Sequence, residues 1–231
     1  MTPERFVEVA ADGDRADAIA FLGRALRLDD AVVTRIVVRS DGLLALWART
    51  GFDVLVTRSV FGRMRPDDLI CDAATLRDGL AQSGAARPID PGMPLDSAWR
   101  GALPIRSGYR HLDDVPARTV VELAREGARL ARDEGSAHGP ATGLLDQSVL
   151  DVSSADGALH ASVSMRSLFA LTAMGFVRDR DGHEITETSP LSAIDPDEPI
   201  RVRMSAAWLR LDARFGSVYQ RRHRELDVTV R

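Results

Sequence analysis

The sequence predicts an α+β protein of two similar-sized halves, each an antiparallel hairpin or meander packed with helices. Three observations carry this expectation. Two Asp-Gly pairs, Asp41-Gly42 and Asp156-Gly157, stand between runs of alternating apolar residues, which is the pattern of a tight hairpin. Each hairpin is preceded and followed by a segment with helical spacing of apolar residues. With 231 residues, 45% hydrophobic and only 5% aromatic, the chain can bury about 72% of its extended surface, enough for one full core or two small lobes. The expected divisions are residues 1–86, a Pro-rich packed crossing at 87–112, and residues 113–231.

In chain order, Asp14 is placed to cap a helix running to about Leu28, with Ile19, Leu22 and Leu26 on one face. Strands are expected over Val32–Arg39, Leu43–Arg49 and Phe52–Arg58, and a two-residue turn at Asp41-Gly42 would set Val38 opposite Ala45 and Ile36 opposite Trp47. Asp72 caps a short helix, Ala73 to Gln82. Between Arg87 and His111 four prolines alternate with Trp99, Leu103, Ile105 and Tyr109, a composition that packs rather than links.

Pro116 has the place of a first helical residue, with Asp113-Asp114 near the positive end of the helix dipole, and that helix runs to about Glu134. The second hairpin, Ser148–Ser153 with Ala158–Val163, should set Val152 against Ala161. Met165 to Met174 is apolar around most of its circumference and must be buried. Ile200–Met204 and Trp208–Ala213 alternate as strands, and pairing them through Ala206-Ala207 would set Arg203 opposite Arg210 and Arg201 opposite Asp212; a charged tail follows. Both halves thus run helix, hairpin, helix, with too few identities to read as a repeat.

Composition excludes several chemistries. All 30 residues of the Lys+Arg count are Arg, and there is no Asn. A lysine Schiff base, a Walker lysine and N-glycosylation are therefore impossible. Substitution of Arg for Lys throughout fits a GC-rich bacterial genome. The lone Cys71 can form neither an intrachain disulfide nor a CxxC pair, and is expected to be a buried, inert thiol. The first residues show no basic region followed by an apolar stretch, and Ser167–Val177 is too short to span a bilayer, so a cytoplasmic protein without membrane contact is expected.

Charge is segregated along the chain. The last 31 residues carry eight Arg against three acidic residues, while 179–199 carry seven acidic residues against Arg180 alone. Strand parity turns Arg203, Trp208, Arg210 and Arg214 to one outer face, with Tyr219, Arg221, Arg222 and His223 downstream. Arginine and aromatic residues together suit an anion or a partner surface. The competing expectation is that the acidic loop neutralises this face, as charge runs usually make internally matched surfaces.

Other motifs resolve to structure. His111, His138, His160, His183 and His223 lack metal-ligand spacing, and Asp179-Arg180-Asp181-Gly182 has glycine too early for a calcium loop. The pairs Asp29-Asp30, Asp67-Asp68 and Asp113-Asp114 read as capping charges. Gly135–Gly143 follows a helix, whereas phosphate loops precede one. No GxSxG elbow occurs, no metal or cofactor is implied, and no motif identifies a family. The first functional expectation is a non-catalytic intracellular binding or interaction module for a protein or small anionic ligand. The second is an anion- or nucleic-acid-binding regulator using the C-terminal arginines, and the third a hydrolase with a composite Asp/His site between the halves.

Overall fold

The computed structural model describes residues 4–133 and 142–222. The first half runs β1 (Phe6–Val9), α1 (Asp12–Leu28), β2 (Val33–Val38), β3 (Leu43–Arg49), β4 (Leu55–Arg65), β5 (Asp68–Asp72) and α2 (Ala73–Gln82). The second runs β6 (Arg110–Pro116), α3 (Ala117–Asp133), α4 (Thr142–Leu145), β7 (Ser148–Ser153), β8 (His160–Ser164), α5 (Met165–Ala173), β9 (Pro199–Met204), β10 (Trp208–Ala213) and β11 (Gly216–Arg221). The fold is α+β with two similar halves. Within each, two helices pack on each other, α1 with α2 and α3 with α5.

One sheet joins the halves in the order β5-β2-β3-β4-β11-β10-β9-β6, and β7-β8 forms a separate hairpin. The eleven-residue strand β4 makes the join. It pairs with β3 along Leu55–Phe61, with β11 at Leu55–Thr57 and with β1 at Gly62–Arg65. Alternation sends Ile36, Leu44, Leu46, Val56, Leu211 and Val218 into the core shared with the helices, and all are nearly inaccessible. Leu168, Phe169 and Leu171 of α5 are buried as expected. Gly127 of α3 lets α5 come close, since a Cβ there would lie 2.5 Å from the Met165 methyl.

Several local expectations hold. Asp72 accepts the Thr75 N–H at 2.7 Å and caps α2. Val152 faces Ala161, Arg203 faces Arg210 and Arg201 faces Asp212. Gly42 and Gly157 have φ of 80° and 67°. The thiol of Cys71 is fully buried, and burial pushes its pKa up to about 12.

Others are corrected. The first hairpin slips by one residue, with Val37 opposite Ala45 and Arg35 opposite Trp47. Its turn is a three-residue loop: Gly42 donates to Arg39 O, and Arg39 N–H donates to Leu43 O. Trp47 and Ile36 therefore lie on opposite faces of the sheet. Asp14 does not cap α1, which begins at Asp12; its carboxylate accepts the Phe61 N–H at 2.8 Å. The third strand begins at Leu55, not Phe52, because Asp53 at φ 58° completes a turn from Thr50 to Val54.

Asp67-Asp68 opens β5, not a helix, and Asp113-Asp114 lie inside the unforeseen strand β6. Pro116 closes that strand opposite Pro199, so α3 starts one residue later, at Ala117. The charged tail contains β11, a central strand of the sheet. On α3, Arg118 and Arg125 donate to carbonyls of Ile194, Thr186 and Ser189 and so tie the helix to the following loop.

Candidate binding groove at the junction of the halves

The sheet face opposite the helices carries a second apolar cluster, made by Ala45, Trp47, Leu55, Trp208 and Tyr219. Trp47 and Tyr219 come from the two halves and meet at 5.1 Å between ring centroids, because β4 and β11 are paired beside them. The crossing segment lays Trp99, Leu103 and Tyr109 over this cluster, and Tyr109 meets Tyr219 edge-on at 6.2 Å. A groove of about 590 Å³ remains between the crossing at Leu103–Ser107 and the sheet.

Arginines ring the groove. Arg39, Arg106, Arg210 and Arg214 line it with Ser40, Ser59, Ser107 and Ser217, while Arg58 at its edge turns its guanidinium to Asp17 on the helix side; the described lining includes no carboxylate and no imidazole. Arg210 lies over both Tyr109 and Tyr219, at 5.6 and 5.3 Å. Its Nε donates to Asp212 Oδ1 at 2.6 Å, while Arg203 donates to Asp212 Oδ2 at 2.7 Å and Ser217 Oγ to Oδ1 at 2.5 Å. One carboxylate thus orders two guanidiniums that strand pairing sets side by side. Arg39 is held by Asp41, whereas Arg106 donates to the Val38 carbonyl at 2.9 Å.

Electrostatics follow from this burial. The Tyr219 phenol sits well above its ordinary pKa because it is desolvated, and that of Tyr109 is raised for the same reason. The Tyr109 hydroxyl is buried without a hydrogen-bond partner among the described residues. Both rings stay neutral at physiological pH and serve as faces for cations.

The residues singled out from the sequence divide between places. Arg210, Arg214 and Tyr219 line the groove. Arg203 stands beside them on Asp212, and Trp208 is buried under Arg221 at 5.7 Å. Arg221 and Arg222 line a different cavity, of about 960 Å³, with His160 and Asp151. His138, His223 and most of Gly135–Gly143 lie outside the described residues. The sequence reading missed Arg39, Arg106, Trp47 and Tyr109, which only the β4–β11 join and the crossing bring together.

Neutralisation by the acidic loop also takes another form than expected. Arg203 and Arg210 are matched by Asp212 on their own sheet, and from the loop only Glu198 approaches, 4.0 Å from Arg214. Glu184 instead reaches Arg24 and Arg27 of α1 at 3.4 and 3.8 Å, and Glu187 pairs with Arg132 of α3. Asp179, Asp181 and His183 bring their ligand atoms within 4.8 Å of one another. Asp179 accepts the N–H groups of Asp181 and His183, which holds its pKa down and closes a turn.

The fold is that of the bacterial polymerase clamps. The sliding clamp of Bacillus subtilis superposes with a TM-score of 0.56 at 10% identity, over 98% of this chain and 67% of that one. The beta subunit from DNA polymerase of Streptococcus pyogenes gives 0.54 at 11%, over 94% and 64%. The sliding clamp of Bartonella birtlesii, bound to griselimycin, gives 0.52 at 13%, over 94% and 64%. The chain spans about two thirds of the length of these clamps. Residues 104–225 match the family described as Domain of unknown function (DUF8185), and the chain belongs to that family. Residues 2–101 match a second family, Domain of unknown function (DUF8010). No curated protein matches the chain.

Proposed function

We propose that this chain is a non-catalytic intracellular interaction module that uses the junction groove to bind an acidic segment of a partner protein. The observation that carries this reading is the groove itself: four arginines present guanidiniums along a described lining without carboxylates, over a floor that includes Val37, Trp47 and Tyr219. Arginine forks bind carboxylates bidentately, and an apolar floor rewards an anchoring side chain, the combination that gives short peptides both specificity and affinity. The likeness in fold to clamps that are named for DNA polymerase supports a scaffold that acts by holding other macromolecules.

That same likeness favours a second reading, in which the arginines contact nucleic acid. The formal net charge of −4 weakens it, because sequence-independent nucleic-acid binding draws on a field of positive charge.

The test is a titration of fluorescent peptides and a DNA duplex, read by anisotropy at two salt concentrations. An acidic peptide with a leucine or aromatic anchor is expected to bind and to lose affinity by about tenfold to 150-fold in Arg106→Gln, the loss of one charged hydrogen bond. Arg106 is suited to this because, among the described residues, its side chain holds only the Val38 carbonyl. Duplex binding with a steep salt slope and no peptide binding would replace this reading with the nucleic-acid one.

A further inference from the structure

On the helix side of the same junction, independently of the groove, three arginines from separate elements converge. Arg24 comes from α1, Arg58 from β4 and Arg178 from the loop after α5, and they line a cavity of about 10 Å³ with Asp17, Gly175 and Phe215. Arg24 is 8% exposed, an extreme for an arginine. Its Nε and that of Arg178 are both buried and donate to nothing among the described residues.

Charge is only partly compensated there. Asp17 is engaged by Arg58, and Glu184 lies 3.4 Å from Arg24 while also facing Arg27. Arg178 makes no ion pair among the described residues; it donates to the Gly182 carbonyl at 3.2 Å and lies 4.4 Å over the Phe215 ring. Arg58 and Arg214 also face that ring, at 5.6 and 5.3 Å. Burial, followed by the nearness of Arg24, pulls the Arg178 pKa below its ordinary value. A buried guanidinium nitrogen left without an acceptor is costly for a fold to carry.

Gly175 shows that the positions are enforced. A Cβ at that residue would stand 2.6 Å from Arg24 Nε, so a side chain has been kept out to let the guanidinium in. We propose that Arg24 and Arg178 form a binding site for one small monatomic anion, a halide such as chloride, held between their Nε donors at the seam of the two halves. The size argues for this class: a cavity of about 10 Å³ is at the lower bound for one water-sized particle, so a monatomic ion suits it better than phosphate or carboxylate. A halide accepts from both donors and offsets their mutual repulsion, whereas a water would satisfy the donors but leave the repulsion in place. Because Arg24 and Arg178 belong to different halves, the bound anion would tie one to the other.

Two measurements test it. Crystals of the full chain equilibrated with bromide are expected to show an anomalous scattering peak within hydrogen-bonding reach of both Nε atoms. Thermal melts at constant ionic strength are expected to show Tm rising saturably as chloride replaces gluconate, by about 3–6 °C when chloride reaches ten times its Kd. Arg178→Met should remove the anion-specific rise. If that variant does not fold, the bromide peak in the unaltered protein decides the matter. No peak at saturating bromide, or melts that follow ionic strength alone in the unaltered protein, would overturn the proposal in favour of a bound water.

Discussion

The two faces of the sheet meet the same problem where the halves join, and answer it with different chemistry. Under the helices the seam is apolar, with Val56, Leu211 and Val218 almost wholly inaccessible, and its few charges are pressed into small spaces. On the opposite face the seam is aromatic and rimmed by arginines, and Asp212 holds two of them in place. Buried without a full set of acceptors, a guanidinium is a demand on the structure. Held by a carboxylate at the lip of a groove, it is an ordered donor with capacity to spare. The same residue type is thus buried at the seam on one face and presented at the lip of a groove on the other.

The difference can be tested by substitution, and the helix side should respond most. Phe169, 8% exposed and 5.8 Å from Phe52, is expected to cost about 3–5 kcal/mol on replacement by Ala, measured by urea denaturation. A near-neutral result would show that the apolar seam is not what holds the halves. On the groove side, Asp212→Ala should cost about 1–3 kcal/mol, because two part-exposed guanidiniums and Ser217 lose their acceptor. The same variant should bind an acidic peptide more tightly, since the freed arginines need a new partner. A fall in both stability and affinity would make Asp212 part of the recognition surface and blur the contrast.

Gly175→Ala should cost about 1 kcal/mol or more in the same denaturation assay, as it imposes a Cβ at φ +59° and displaces Arg24. The mildest effect is alkaline. Cys71 under the helices and Tyr219 in the groove both have raised pKa values in the folded state. Their contributions are fully present below the unfolded values, near about 8.5 and 10, and are lost as pH climbs through the folded ones. Stability should therefore drop by less than about 1 kcal/mol by pH 9 through the thiol, and then more steeply above pH 10 through the phenol. Melts of Cys71→Ala should lack the first decline, and melts of Tyr219→Phe should soften the second.

Elements with strong local chemistry were legible in the sequence. Asp72 announced α2, the apolar circumference announced α5, and period-2 parity gave the β9–β10 register in advance. What escaped was set at a distance. Strand β6 carries Asp113-Asp114 and a bulge between His111 and Asp113, which break the alternation that would have marked it. Strand β11 offers only Val218 and Tyr219 as signal, and β5 is a five-residue segment bounded by Asp68 and Asp72. The first hairpin shows how little separates two answers: a single left-handed Gly42 closes a three-residue loop, and every facing pair shifts. Of the groove, the sequence supplied Arg210 and Arg214 through strand parity and Tyr219 through the composition of the tail beyond them. It could not supply Arg39, Arg106 or Trp47, which enter through the slipped hairpin and the crossing.

Strand β4 carries a consequence for how the molecule comes apart. Its backbone is hydrogen-bonded to β1, β3 and β11, so no cut through the crossing yields two self-sufficient pieces. Unfolding should be one cooperative event, with heat and denaturant probes giving coincident transitions. A fragment ending before β6 would keep β4 but leave the edge formed by Leu55, Val56 and Thr57 without its neighbour, and its counterpart would bare Ser217, Val218 and Tyr219. Each would present an unfilled row of donors and acceptors of the kind that recruits any extended chain, so the fragments should be soluble together and aggregate apart.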